Sequence, residues 1–306
     1  MSRIIQSYEP FTSNEFFISL ADIIIVNERH IKNRFLKCRG LDPDKRIIIF
    51  IASPLLYQCI NLLNSLQNKY ILITSCNIDI CIPYLRYPCT ISIAKSTDIL
   101  LNSNKLIRWY TKNPSIEHPK IKPIPIGLKW QWNSQHFYGE DNMVHLTLYK
   151  SISSDISTIE TNFRRSKPNL LYFNFDVNTT MKCFYTPHNQ IRSRIKNSLL
   201  KNGFKYNDTL PISEYMKKLS TYKFIVSPPG KGIDSHRTWE AILAGCIPIV
   251  LSSPLNTLYS TLPVLIVDDF SIVTEDYLNN LYSKMYSAKY DFNLMFSQYW
   301  KDDSMN

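Results

Sequence analysis

The sequence predicts an α/β protein with two parallel sheets in succession. Three observations carry that expectation. Short, continuous apolar runs such as 46–53 (RIIIFIAS) and Tyr70–Ser75 (YILITS) have the composition of strands buried on both faces. Stretches of helical spacing lie between such runs, the alternation that produces parallel sheets. A polar stretch at 129–167, carrying Trp130 and Trp132, interrupts this pattern before it resumes at Asn169. Two such sheets leave a cleft between domains, a common place for ligands.

The elements follow in order. The run 16–26 is apolar but short, and Asp22 breaks it. The strand 46–53 leads into a helix over 54–67 that opens on Pro54, a favoured first-turn residue. After Tyr70–Ser75 come a short strand at 90–94, a helix over 96–110 and a proline-limited edge strand at 122–128 (KPIPIGL). The connection 129–167 holds only a weak helix near 151–163. The second unit runs through a strand at 169–175, amphipathic helices at 190–202 and 212–221, and a strand at 224–227. It continues with a helix at 234–244 and strands at 247–252 and 264–267. Helices at 275–288 and 292–300 close the chain. The expected domains are 1–130, a connection 131–167, a second domain 168–288, and a C-terminal segment 289–306 that packs back on the first.

Composition bounds the function. The chain has 306 residues, with Lys+Arg 35 against Asp+Glu 25, a net charge of +10, and 44% hydrophobic residues. That is globular composition and excludes wholesale disorder and collagen-like structure. No apolar run is long enough for a transmembrane helix, and the N-terminus lacks a signal-peptide pattern, so the expected location is soluble and cytoplasmic. The 7 cysteines are odd in number and form no C-x-x-C pair, which points to a reducing compartment. The positive charge suits polyanionic partners, although an AT-rich gene also accumulates lysine. No RRM, KH or zinc-knuckle signature is present, so nucleic acid is not an expected partner. Only 7 residues are glycine, and 3 of them, Gly230, Gly232 and Gly245, fall within 230–245.

That glycine cluster belongs to the most informative segment, 224–250 (FIVSPPGKGIDSHRTWEAILAGCIPIV). A strand ends at Ser227, Pro228–Pro229 turns the chain, and Gly230-Lys231-Gly232 leads to Asp234 as N-cap of a helix beginning at Ser235. A glycine turn before a helix N-terminus presents backbone N–H groups and a positive dipole end to an anion. Arg237 and Glu240 are three apart and share a helix face. Arg237 can clamp a diphosphate and Glu240 can accept from ribose hydroxyls, with His236 in reach of the same ligand. A surface ion pair on an ordinary capped helix is the competing reading. There is no P-loop, and Ser235 stands where a dinucleotide fingerprint needs its third glycine.

The segment S-P-P-G-K-G-I-D-S-H-R-T-W-E-A-I-L-A-G-C-I-P-I-V resembles the exostosin-like glycosyltransferases, and is similar to exostosin-related proteins of viruses, protists and bacteria. Weaker matches lie upstream in consistent order. They are Arg108-Trp109-Tyr110-Thr111-Lys112-Asn113, His118-Pro119-Lys120-Ile121, Pro123 to Leu128 (PIPIGL), and Thr74 to Pro83. The resemblance implies the GT-B fold, two Rossmann-like domains facing across a cleft. It implies transfer of a hexose or pentose from a nucleotide-sugar donor, of the UDP type, to a hydroxyl on a glycan, protein-linked or lipid-linked acceptor, with inversion. It also implies that no metal or other cofactor is needed; the single D-x-D, Asp42-Pro43-Asp44, reads as a turn.

Carried over by position, Arg237 is the diphosphate-side arginine and Glu240 the ribose glutamate. Ser227, Gly230, Lys231, Gly232, Asp234, His236 and Asn174 complete the expected donor site, with Asn178, Thr179 and Thr180 nearby. Lys182 is the nearest base where the family often carries an arginine in the loop after the first strand of the second domain. The expected catalytic base is Asp79, beyond the strand Tyr70–Ser75, with His118 and Asp22 as weaker candidates. Asn113 is an expected cleft residue. Trp130, Trp132, Phe137 and Tyr138 either stack on ligand or pack a hinge. Arg192, Arg194 and Lys196 read as a solvated face, or as a contact to acceptor phosphate or membrane. A catalytically silent nucleotide- or sugar-binding protein on the same fold is the alternative function.

Overall fold

A computed structural model of the protein describes residues 10–12, 14–38, 41–75, 91–129, 140–179 and 190–305. Asp79, Thr180, Lys182 and the aromatics at 130, 132, 137 and 138 lie outside the described residues.

The first unit is a five-stranded parallel sheet. It contains α1 (Asn14–Ser19), β1 (Ile23–Ile25), α2 (Ile31–Cys38), β2 (Ile47–Ala52), α3 (Leu56–Ser65), β3 (Tyr70–Ser75), α4 (Ile91–Asn102), β4 (Leu106–Thr111) and β5 (Ile121–Pro123). The strands lie in the order β1-β2-β3-β4-β5. Every residue of β2 and β3 is buried, which explains their continuous apolar runs. Along β2, Ile47, Ile49 and Ile51 join a core with Leu56 and Leu63 of α3. The alternate residues Ile48 and Phe50 face the other way, into a core that includes Phe17 of α1.

Two expectations fail here. Residues 91–94 open helix α4 instead of forming a strand. That helix stops at Asn102, and 106–111 is the fourth strand, not a helical continuation. Ser103 and Asn104 make the turn, and Trp109 and Tyr110 are buried in the sheet at 0% and 2% exposure. The apolar run 16–26 divides into α1 and the short edge strand β1, with Asp22 between them accepting the Ile48 N–H at 2.9 Å.

The connection is more regular than its sequence suggests. It holds α5 (Glu140–Ile152) and α6 (Ile156–Arg164), and Asp155 caps α6 by accepting from the Thr158 N–H at 2.8 Å.

The second unit comprises β6 (Asn169–Tyr172), α7 (Ile191–Lys201), α8 (Ile212–Leu219), β7 (Tyr222–Val226), α9 (His236–Leu243), β8 (Ile247–Leu251), α10 (Asn256–Tyr259), β9 (Leu265–Val267) and α11 (Glu275–Ser287). Its sheet is parallel in the order β6-β7-β8-β9. The two Rossmann-like α/β units predicted by the alternation are therefore both present.

Asn207, in the segment between α7 and α8, donates its N–H to the Phe173 carbonyl at 2.9 Å, and its Oδ1 accepts from the Phe173 N–H at 2.9 Å, which ties that segment to the end of β6. Further on, α9 ends in a Schellman turn, with Gly245 N–H to the Ile242 carbonyl at 2.9 Å and Cys246 N–H to the Ala241 carbonyl at 2.8 Å. Gly245 has φ +72°, and a Cβ there would lie 2.3 Å from the Asn162 backbone, so α6 packs against this turn only because the residue is glycine.

The last helix, α12 (Ser297–Met305), returns to the first unit. Trp300 packs edge-on against Phe17 at 5.8 Å. Asp303 accepts from Tyr110 Oη at 2.7 Å and from Lys122 Nζ at 2.5 Å. No helix among the described residues is long and apolar enough to cross a membrane.

Candidate functional site

The carboxyl ends of the two sheets meet, and three hydrogen bonds fix the meeting. Asn113, just past β4, accepts the Ile233 N–H on its Oδ1 at 3.0 Å. Asp234 Oδ2 accepts the Ile126 N–H at 2.8 Å. His236 Nδ1 donates to the Gly127 carbonyl at 2.8 Å. Asn113, Asp234 and His236 were all expected to face ligand; in the structure they join the glycine loop to the first unit.

Asp234 is the hub of this junction. Its carboxylate also accepts from the Ser235 N–H, Trp239 Nε1 and Tyr259 Oη, each at 2.8 Å. Four donors saturate a carboxylate, so Asp234 has no acceptor left for a ligand. It is not the N-cap either: Ser235 holds that position and α9 starts at His236. Burial raises the Asp234 pKa, and the four donors oppose that shift. Burial likewise brings His236 down to about 4, so its imidazole is neutral at neutral pH with the proton on Nδ1.

The part of the site that carries its arginines is built from β6, α7 and α9. Asn174, just beyond β6, is 5% exposed and uses all of its amide. Its Nδ2 donates to the Asp208 carbonyl at 2.7 Å and to Tyr172 Oη at 3.1 Å, while its Oδ1 accepts from Arg237 Nη1 at 3.0 Å. Asn174 therefore orients Arg237. The Arg237 guanidinium also lies 5.4 Å over the ring of Tyr215.

A second arginine stands beside it. Arg192 donates Nε to the Pro229 carbonyl and Nη1 to the Asp176 carbonyl, both at 2.8 Å. Its Nη2 would sit 3.4 Å from a Cβ built on Gly230. Burial, and then the neighbouring Arg237 charge, bring its guanidinium down to about 10, which leaves it protonated at neutral pH. Among the described residues, neither guanidinium has a carboxylate within ion-pair distance.

Arg192 does not belong to a solvated face as expected from the sequence. It lies three residues before the buried Ile195 on α7, so it shares the apolar stripe of Ile195 and Leu199. A charge on a buried stripe is the signal that identifies it. Arg194 on the same helix is exposed. Lys196 lies 4.2 Å over the ring of Tyr206.

Glu240 sits one turn deeper on α9. It is 5% exposed, and its Oε1 accepts from Tyr149 Oη at 2.8 Å. Burial raises its pKa, while Tyr149, Arg237 and Lys129 favour the ionised form. Tyr215 lies within the electrostatic reach of both Arg237 and Glu240, and its buried hydroxyl has no hydrogen-bond partner among the described residues.

The remaining expected residues divide. Ser227 is buried and pairs its hydroxyl with Thr238 Oγ1 at 2.9 Å. Gly230 directs its N–H to the Gly232 carbonyl at 3.0 Å, and Lys231 is exposed. Asn178 and Thr179 close a turn on the Asp176 carboxylate. His118 stands apart from Arg237 and Glu240. The loop after β4 returns the chain to the amino edge of the sheet, where His118 accepts the Lys120 N–H on Nδ1 at 3.1 Å. It lines a cavity of about 500 Å³ with Thr257 and Tyr299. Asp22 is also at the amino edge, held by Ile48 N–H and by Lys45 at 3.8 Å.

No protein-family profile and no curated protein matches the chain in sequence. Among solved structures it is similar to one described as trehalose-6-phosphate from E. coli bound with UDP-2-fluoro glucose. The identity there is 10% and the TM-score 0.39, over 99% of this chain and 84% of that one. It is also similar to an α,α-trehalose 6-phosphate synthase from Burkholderia multivorans, at 10% identity and a TM-score of 0.33, over 98% and 76% of the two chains. Likeness at this level says nothing about individual residues.

Proposed function

We propose that the protein is a glycosyltransferase of GT-B architecture that takes a sugar from a nucleoside-diphosphate donor and passes it to a hydroxyl acceptor. The observation that carries this reading is the pair of neighbouring guanidiniums, Arg192 and Arg237, beside the glycine loop, with no carboxylate among the described residues within ion-pair distance of either. Two cations held together in a partly buried site are costly unless an anion joins them, and a diphosphate supplies the charge. Glu240, one helical turn deeper, offers an acceptor to ribose hydroxyls.

In the proposed reaction the acceptor oxygen forms a bond to the anomeric carbon as the carbon–phosphate oxygen bond breaks. The acceptor proton passes to a carboxylate, for which we propose Asp79, four residues beyond Ser75. The departing nucleoside diphosphate gains charge, and Arg192 and Arg237 stabilise it where it develops, without a metal. A donor, a hydroxyl acceptor and inversion at the anomeric carbon make up this reading.

A panel of nucleotide sugars tests it. Slow hydrolysis of one donor above the rest, lost in Arg237→Ala, is the expected result. Failure to bind any member of the panel would contradict the reading, and binding without turnover would favour a silent nucleotide-binding protein.

A further inference from the structure

Glu240 is held by a residue far from it in sequence. Tyr149 Oη, on the connection helix α5, donates to Glu240 Oε1 across 91 residues of chain. The same phenol oxygen accepts from the backbone of Lys129, at the exit of the first unit. Tyr149 is itself buried at 1% exposure. One hydroxyl thus links the chain leaving the first sheet to the carboxylate in the second. It occupies one carboxylate oxygen and fixes the direction of the other.

We infer that Tyr149 is a positioning residue for nucleoside recognition, holding Glu240 Oε1 so that Oε2 is the acceptor offered to a ligand hydroxyl. This inference rests on the donor-site reading above. It makes recognition of the nucleoside depend on the interdomain connection, whereas recognition of the diphosphate depends on groups of the second unit alone, Arg192 on α7 and Arg237 on α9 with Asn174 and Tyr215 supporting it.

The charged and titratable groups around Glu240 give the inference a pH signature. Burial disfavours the Glu240 anion. Tyr149 from α5, Arg237 from its own helix and Lys129 favour it, and Tyr215 of α8 is within electrostatic reach. A carboxylate accepts hydroxyls best when ionised. Nucleoside affinity therefore falls as pH drops through the Glu240 pKa. Removing the Tyr149 hydroxyl moves that fall to higher pH.

The test titrates uridine diphosphate and, separately, inorganic pyrophosphate into the full chain across pH 5 to 8. Tyr149→Phe should weaken uridine diphosphate binding about tenfold at neutral pH, the size of one hydrogen bond to a charged group. It should also move the acid fall-off to higher pH and leave pyrophosphate binding unchanged. Glu240→Gln, which keeps an oxygen for Tyr149, should bind uridine diphosphate weakly, with only the acid fall-off that pyrophosphate also shows from protonation of its own phosphate. It also serves if Tyr149→Phe does not fold.

A Tyr149→Phe protein with wild-type affinity and pH profile overturns the inference, as does a Glu240→Gln protein whose fall-off for uridine diphosphate still exceeds that for pyrophosphate as in the wild type. If the wild-type protein binds neither probe, the donor-site reading itself fails.

Discussion

Replacing Arg237 by alanine is expected to weaken binding of uridine diphosphate about 100-fold, or about 2.7 kcal/mol. Two charge-assisted hydrogen bonds to phosphate oxygens account for an effect of this size. Arg237 is aimed by Asn174 Oδ1 and supported by the Tyr215 ring, so it reaches a ligand without first being ordered. Arg237→Lys should recover only part of the loss, because an ammonium matches neither the fork geometry nor the ring contact. Isothermal titration measures the affinity and thermal denaturation checks the fold. The departure of the Arg237 guanidinium relieves Arg192 of a like charge and takes a favourable charge away from the buried Glu240, effects of opposite sign on stability. An unchanged affinity would remove Arg237 from the site.

The second large effect is on stability. Asp234→Ala should cost about 3 to 5 kcal/mol, the range for removing one partner from a buried charged network. Four donors lose their acceptor at once, among them the Ile126 N–H of the first unit and the Trp239 indole of the second. The urea midpoint should fall accordingly. A loss below about 1 kcal/mol would mean that these donors find other partners easily and that the junction is not held here.

Much of the fold was legible because its strands are short and fully buried, so that composition and flanking turns reveal them. The error at 96–110 has a physical cause. Leu106 to Thr111 carry β-formers, but Ile91 to Leu101 supply helical spacing immediately upstream, and the turn at Ser103–Asn104 contains neither glycine nor proline. In the candidate site, the face shared by Arg237 and Glu240 follows from their spacing. The fate of Asp234 does not, because an Asp before a helix looks the same whether it caps that helix or accepts from Ile126, 108 residues away. Arg192 was readable in principle from its place on the Ile195–Leu199 stripe. The Tyr149–Glu240 bond was not, since no local pattern reports a contact across 91 residues.

The central proposal is that the paired guanidiniums and the buried Glu240 make one divided site, with a phosphate half and a nucleoside half. Titrating the wild-type protein with uridine, uridine monophosphate and uridine diphosphate tests this most directly. The expected order is diphosphate tightest, monophosphate weaker and uridine weakest. Arg192→Ala and Arg237→Ala should compress the series, and Glu240→Gln should weaken all three members. Equal affinity for the three, or uridine diphosphate binding that survives loss of both arginines, would contradict it.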